Sequence, residues 1–325
     1  MVRKKIGLIG GGNIGATLAH LILQRDLGDV VLVDIAEGVT QGKALDLCQA
    51  AAIDNLSGSI IGTQDYGALK GSDAVVVTAG VPRKPGMSRD DLLKINSDII
   101  KTIGQQIRQH CPGAFVVVVT NPLDVMVWLM QQSSGLPTHH VVGMAGILDS
   151  GRFRYFLATA LGVAVQDVQT FVLGGHGDTM VALPRYTTVA GIPLQEWIDQ
   201  GKLSSDQLND IIKRTQNGGA EIVNLMKTGS AYYAPASAAL QMVEAYLFDQ
   251  KRILPCAAWL SGEYGINSMY AGVPVMIGAG GTEKVIELDL DAVEKQQFVA
   301  SVQAVQKLVD DLKTSRHHER PEGAR

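Results

Sequence analysis

The chain has 325 residues, room for two domains of about 100–200 each, and 46% of them are hydrophobic, so a sizeable core needs no disulfide or metal staple. With 28 basic residues against 32 acidic, a net charge of −4 and no dominant Lys/Arg run, neither a nucleic-acid footprint nor a polybasic membrane patch is expected, and the partner sought is a small molecule. Three widely spaced cysteines (Cys48, Cys111, Cys256) argue against a disulfide framework and for a reducing cytoplasm, while 36 glycines, well above the average of about 7%, ask for backbone freedom somewhere.

The amino terminus imitates a secretory signal, because Arg3, Lys4 and Lys5 precede a mostly apolar stretch through residue 23. Gly7, Gly10, Gly11, Gly12 and Gly15 interrupt that stretch and no small-residue cleavage site follows, so strand, turn and helix are expected there instead of a leader. Nothing else approaches the roughly 18 consecutive apolar residues of a membrane span. The β-branched runs 5–9, 30–34, 74–78 and 115–120 are expected as strands, and helices are expected at 13–25, 40–52, 90–109 and 123–132, the last opened by Pro122. Apolar strands without a polar face, separated by helices, imply a doubly wound parallel sheet covered on both sides, an α/β domain over residues 1–144.

Gly10-x-Gly12-x-x-Gly15 lies between the first strand and the first helix, and Asp34 ends the second strand about 20 residues further on. The first glycine permits a tight turn, the second lets a pyrophosphate approach the backbone, and the third lets helix and sheet pack closely. Free N–H groups at the helix start, at Asn13 and Ile14, face the anion, and Asp34 accepts from ribose hydroxyls while repelling a 2′-phosphate. A glycine-rich turn alone is a weak signal. With strand, helix, second strand and terminal acid in register, Gly10, Gly12, Asn13, Ile14, Gly15 and Asp34 are expected to hold NAD in preference to NADP.

After the third strand comes a loop, 79–89, with Arg83, Lys84 and Arg89 among Pro82, Pro85 and Gly86. A solvated basic loop would read the same way. Its exit at the carboxyl end of a parallel strand, where ligands bind in such sheets, makes it a candidate lid over an anionic substrate. From about residue 145 the texture changes to an α+β pattern: a helix at 147–161, a strand at 168–173, hairpin-like segments and helices through 247, apolar runs at 253–260 and 273–277, and a closing helix at 291–312. The catalytic domain is expected at 145–315. The polar segment 316–325, with His317 and His318, is expected as a frayed tail and no metal site.

In Gly174-Gly175-His176-Gly177-Asp178, one histidine sits in a glycine-flanked turn. An isolated histidine is more often structural, but flanking glycines let a planar substrate and a nicotinamide ring come near the imidazole, which can carry a proton at neutral pH. Asp149 and Arg152, three apart on one helix face, are an ordinary ion pair or something more: an orienting carboxylate for His176 and a planar fork for a substrate carboxylate.

Taken in order, the Gly10–Gly15 turn, Asp34, the arginine loop, Thr120-Asn121-Pro122-Leu123-Asp124, Leu148–Arg152 and Gly174–Asp178 resemble the lactate/malate dehydrogenase family over nearly the whole length, most closely its bacterial lactate-dehydrogenase-like malate dehydrogenases. The resemblance implies an N-terminal Rossmann domain with a C-terminal α+β catalytic domain, NAD as cofactor, and reversible interconversion of (S)-malate and oxaloacetate, a reaction of the tricarboxylic acid cycle. It implies a homotetramer, with a dimer as the alternative. It makes His176 the proton acceptor and donor, Asp149 its partner, Arg152 the ligand of the C1 carboxylate and Arg89 the lid residue that polarises the carbonyl. Asn121 touches substrate and nicotinamide side, while Asn96 and Val119 match cofactor contacts. Arg83 stands where lactate enzymes carry glutamine, and pairs with the second carboxylate of a dicarboxylate. Ala231, or Ser230 if the match slips by one, lines the pocket floor, and Gly151 departs from the family's common alanine.

Overall fold

The protein is described here from a computed structural model covering residues 3–82 and 89–318, with the backbone alone at 89–90 and 315–318. Strands β1 (Lys5–Ile9), β2 (Asp29–Val33), β3 (Ile60–Thr63), β4 (Ala74–Val77), β5 (Phe115–Val118) and β6 (Val141–Gly143) pair in parallel in the order β3-β2-β1-β4-β5-β6. Every residue of β4 and β5 is fully buried, which is why these strands carry valine in succession with no polar face. Each such valine is worth about 1.5–3 kcal/mol relative to exposure. Helices α1 (Asn13–Gln24), α2 (Val39–Ile53), α3 (Arg89–His110) and α4 (Leu123–Ser134) cross between them, close to the expected bounds. Strands β3 and β6 were not anticipated.

Strand order reverses between β1 and β4. The crevice outside their carboxyl ends is the place where doubly wound sheets bind ligands, and both the Gly10 turn and the arginine loop leave from it.

The second half begins with α5 (Gly146–Leu161). The run 168–173, expected as one strand, divides into β7 (Val168–Gln169) and β8 (Val172–Leu173). Strand β8 pairs with β9 (Val181–Ala182), whereas β7 joins β10 (Thr188–Val189) and β11 (Ile192–Pro193) in a separate small sheet. The two residues between are drawn off by other partners: Thr170 Oγ1 lies 2.7 Å from Thr187 Oγ1, and the Phe171 carbonyl accepts from the Leu183 N–H. Helices α6 (Leu194–Asp199), α7 (Ser205–Gln216), α8 (Gly218–Met226) and α9 (Tyr233–Leu247) follow.

Strands β12 (Arg252–Ser261), β13 (Asn267–Gly278) and β14 (Gly281–Val285) then add antiparallel to the first sheet, with Ala257 of β12 opposite Gly143 of β6. One nine-stranded sheet therefore runs through both halves. The closing helix α10 (Ala292–His318) extends past the expected end, so residues 316–318, read as tail, are helical, and 319–325 lie outside the described residues. No helix among the described residues is long and apolar enough to cross a membrane.

Candidate active site

The Gly10 turn connects β1 to α1 with geometry that admits little but glycine. Gly10 has φ +116, and a Cβ on Gly15 would come to 1.9 Å from the Gly10 carbonyl oxygen, so the helix start can lie against the strand end only if Gly15 has no side chain. Thr78 Oγ1 donates to the Gly10 carbonyl at 3.2 Å from the end of β4. Above Gly12 the space is open, since a Cβ there would meet nothing within 4 Å, and Asn13 beside it is exposed. Ile14 is half-buried.

Asp34 follows β2. Its Oδ2 accepts from the Gly11 N–H at 2.6 Å and its Oδ1 from the Ala36 N–H at 3.0 Å, which aims the carboxylate across the turn with a lone pair on each oxygen for further donors. Lys43 of α2, which sequence reasoning missed, donates from Nζ to the Gly11 carbonyl and adds a positive charge at the cradle. A cavity of about 260 Å³ opens beside it, lined in part by Asn13, Lys43 and Tyr232. A turn with open backbone, a helix start and an oriented acid fits the pyrophosphate and ribose of a dinucleotide.

Arg83 lies outside the described residues. Arg89 opens α3, and only its backbone is described. Asn96, expected as a cofactor contact, is 2% exposed and its amide is engaged with backbone: Oδ1 accepts from the Val81 N–H at 2.8 Å, and Nδ2 donates to the carbonyls of Val81 (3.2 Å) and Asn121 (2.7 Å). It therefore ties the root of the arginine loop to the Asn121 turn. Asn121 itself is exposed at the start of a cis Asn121–Pro122 bond, while Val119 is buried at the end of β5 with its N–H on the Val77 carbonyl.

On the other side, His176 Nδ1 lies 2.8 Å from Asp149 Oδ2, and Arg152 Nη1 lies 3.2 Å from Asp149 Oδ1. One carboxylate, 1% exposed, thus holds both cationic side chains from the first turns of α5. A carboxylate accepts, so Nδ1 carries the hydrogen and Nε2 is left for chemistry. Burial pushes the imidazole toward its neutral form, but the charge and hydrogen bond of Asp149, with the charge of Asp124, more than reverse this against the opposition of Arg152, and the pKa of His176 is raised. Helix α8 supplies a second support that the sequence did not suggest. A Cβ on Gly218 would come to 3.0 Å from Arg152 Cδ, and one on Gly219 to 3.6 Å from Nη2, so the guanidinium lies along two glycines. The expected floor residues Ser230 and Ala231 precede α9, the first exposed and the second half-buried. A cleft of about 1000 Å³ lined by Asp178, Thr179, α7 and α10 flanks the turn, yet neither His176 nor Arg152 lines it, so it is separate from this constellation.

Residues 4–143 match the model of the lactate/malate dehydrogenase NAD-binding domain, and residues 147–316 that of the lactate/malate dehydrogenase alpha/beta C-terminal domain. The chain is similar to the malate dehydrogenase of Cryptosporidium parvum, at 50% identity and a TM-score of 0.94 over 96% of this chain and 100% of that one. It is similar to the lactate dehydrogenase of the same organism complexed with lactic acid and β-nicotinamide adenine dinucleotide, at 43% identity and a TM-score of 0.94 over 96% and 99% of the two chains. A third likeness is to Plasmodium falciparum malate dehydrogenase in complex with NADH, at 38% identity and a TM-score of 0.90 over 95% and 98%. The chain belongs to the lactate/malate dehydrogenase family, an oxidoreductase whose first half is an NAD-binding domain.

Proposed function

We propose that the protein is an NAD-dependent malate dehydrogenase, interconverting (S)-malate and oxaloacetate. The observation that carries malate over lactate is Arg83 in the loop after β4. An arginine enclosed with pyruvate would be left without a partner, whereas oxaloacetate brings a second carboxylate to it, and an unpaired desolvated charge costs several kcal/mol. The lactate dehydrogenases at 41–43% identity keep pyruvate as the second reading.

When bound, NAD(H) would supply the hydride to substrate C2 in reduction or take it in oxidation. The chain's own residues do the rest. Arg152, steadied by Asp149 and by Gly218, grips the C1 carboxylate with its planar fork. Arg83 takes the distal carboxylate and Arg89 stabilises charge on the carbonyl oxygen. His176 Nε2 donates a proton to that oxygen during reduction and takes it from the hydroxyl during oxidation, while Asp149 stabilises the imidazolium. Asn121, at the turn braced by Asn96, faces substrate and nicotinamide side. Gly10, Gly12, Asn13, Ile14, Gly15 and Asp34 hold the dinucleotide, with Val119 behind it. We assign the enzyme to the cytoplasm, in keeping with its three unpaired cysteines, and expect a homotetramer or dimer.

Steady-state rates with oxaloacetate and with pyruvate, each with NADH and NADPH, test this reading. A higher kcat/KM for oxaloacetate with NADH is expected. A higher value for pyruvate removes the malate assignment, and equal use of NADPH removes the role given to Asp34.

A further inference from the structure

The turn that carries His176 is held by three consecutive backbone N–H groups, each taken by a different element. The Gly174 N–H donates to the Gly272 carbonyl on β13 at 2.8 Å, the Gly175 N–H to Ser301 Oγ on α10 at 2.8 Å, and the His176 N–H to Asp124 Oδ2 on α4 at 2.9 Å. Two of these acceptors are neutral. The third is a carboxylate, 7% exposed, whose Oδ1 is buried with no hydrogen-bond partner among the described residues.

Burial, aided by the neighbouring charge of Asp149, pushes the Asp124 carboxyl up, opposed by the His176 N–H and by the charge of His176, which is the partner that keeps it ionised. Ser301 demonstrates, one residue away, that a hydroxyl suffices to hold such an N–H group. An acid with an orphaned oxygen is the costlier choice, because a buried acceptor without a donor gives up its hydration for nothing. Its place in the first turn of α4 suits a negative charge, yet that benefit needs no contact with the histidine. What a carboxylate supplies and a hydroxyl does not is charge beside the imidazole. Among the described residues, the leading charges on His176 are Asp149 and Arg152 on α5 and Asp124 on α4, while α10 and β13 meet the turn through a hydroxyl and a backbone carbonyl.

We propose that Asp124 is a second positioning acid for His176: Oδ2 fixes the backbone of the turn, and the carboxylate charge, added to that of Asp149, stabilises the imidazolium. Because Asp124 lies in the first turn of α4, just after the Asn121 turn, the same helix end that carries Asn121 also fixes the backbone of the proton carrier.

Two variants of the full chain separate the two tasks. Asp124→Asn keeps an acceptor for the N–H and removes the charge, and Asp124→Ala removes both. The measurements are NADH affinity by fluorescence, and kcat and kcat/KM for oxaloacetate reduction across pH. Reduction needs the protonated imidazole, so its rate falls on the alkaline side. With Asp124→Asn, NADH affinity and the low-pH kcat stay within about twofold of wild type while the alkaline fall begins at lower pH; Asp124→Ala also loses about tenfold or more in kcat at every pH. An Asp124→Asn profile that superimposes on wild type overturns the proposal, as does a folded Asp124→Ala enzyme with wild-type kcat. Should Asp124→Ala not fold, the Asp124→Asn profile decides alone. The inference rests on His176 as the proton carrier. Failure of that assignment would leave wild type without an alkaline limb, whereas failure of this inference leaves the limb present in wild type and unmoved in Asp124→Asn.

Discussion

Replacing Asp149 by Asn tests the centre of the site, because one carboxylate there serves two cations. Its Oδ2 is 2.8 Å from His176 Nδ1 and its Oδ1 is 3.2 Å from Arg152 Nη1, with side-chain exposures of 2% for the aspartate, 16% for the histidine and 14% for the arginine. Asparagine is nearly the same shape, so packing survives, but it has one acceptor for two donors: the charge is lost and with it one of the two hydrogen bonds. A hydrogen bond between charged groups is worth about 1.5–3 kcal/mol against about 0.5–1.5 for a neutral one. The difference, about 1 kcal/mol or more, sets a floor of roughly fivefold on the loss in kcat/KM. The ceiling is about 10⁴-fold, reached if the amide turns its NH₂ toward the ring and reverses the tautomer.

The pH dependence carries a sign. Burial, the largest influence on His176, favours the neutral ring, and the charge and hydrogen bond of Asp149 are first among those opposing it. Without that charge the imidazolium is lost sooner, so the alkaline fall in oxaloacetate reduction moves to lower pH. Stability follows the same sign. A histidine held above its unfolded pKa contributes stability that is complete below the unfolded value and vanishes as pH rises through the folded one, so the variant's loss through His176 is largest at acid pH and fades when alkaline, while the loss of the Arg152 partner persists at both. The assays are NADH oxidation across pH and thermal melts at two pH values. Wild-type kcat/KM with an unmoved profile in Asp149→Asn would refute the reasoning.

Three further substitutions probe other parts of the molecule. Arg83→Gln should lower kcat/KM for oxaloacetate far more than for pyruvate, by about 10²-fold or more if a desolvated ion pair is lost; a uniform small loss would mark the loop as merely solvated. Gly218→Val puts a Cβ 3.0 Å from Arg152 Cδ and further carbons beyond it, so the KM for the oxo acid should rise about tenfold with NADH affinity unchanged; unaltered KM shows that Arg152 needs no such bed. Gly151→Ala is the stabilising case. The residue is exposed inside α5 and a Cβ there meets nothing within 4 Å, so about 0.5–1 kcal/mol and a Tm about 1–3 °C higher are expected, with kcat retained. A lower Tm would show that the glycine meets something the monomer does not contain.

Legibility in the sequence followed burial. Strands β4 and β5 are sealed on both faces, so their residues had to be apolar throughout and stood out as runs. Strand β6 has three residues, too few for any period, and β3 has four with mixed exposure. Hydrophobicity alone also fused 168–173 into one strand, because it records that Val168, Val172 and Leu173 are buried and says nothing of which neighbour each faces. At the site, the Asp149/Arg152 spacing was readable because an i,i+3 pair on a helix is a local matter. Asp124 and Ser301 were not, since each acts on the backbone of a turn 52 and 126 residues away in the chain and leaves no pattern of its own.

The glycines around His176 show how a correct residue can be noticed for an incomplete reason. Reading them as room for substrate fits the open space at Gly177, where a Cβ would meet nothing within 4 Å, although its φ of +95 asks for glycine as well. It does not account for Gly174, whose φ is +79 and whose Cβ would lie 2.5 Å from Ser301 Oγ, or for Gly272 across the bridge, whose Cβ would strike the Gly174 carbonyl at 2.2 Å. Those two are bare because α10 and β13 close on the turn from behind. Room in front and clamping behind are different demands, and proton transfer needs both, since a misplacement of about 1 Å can cost 10²-fold in rate. β13 belongs to the same nine-stranded sheet whose β1 end carries the Gly10 turn, so the clamp on the histidine and the cradle for the dinucleotide are referred to one rigid frame. Loosening the rear of the turn should therefore disturb the proton step before it disturbs dinucleotide binding: Ser301→Ala, which leaves the Gly175 N–H unpaired, is expected to lower kcat with NADH affinity intact, and an equal loss in both would place the weakness in the sheet itself.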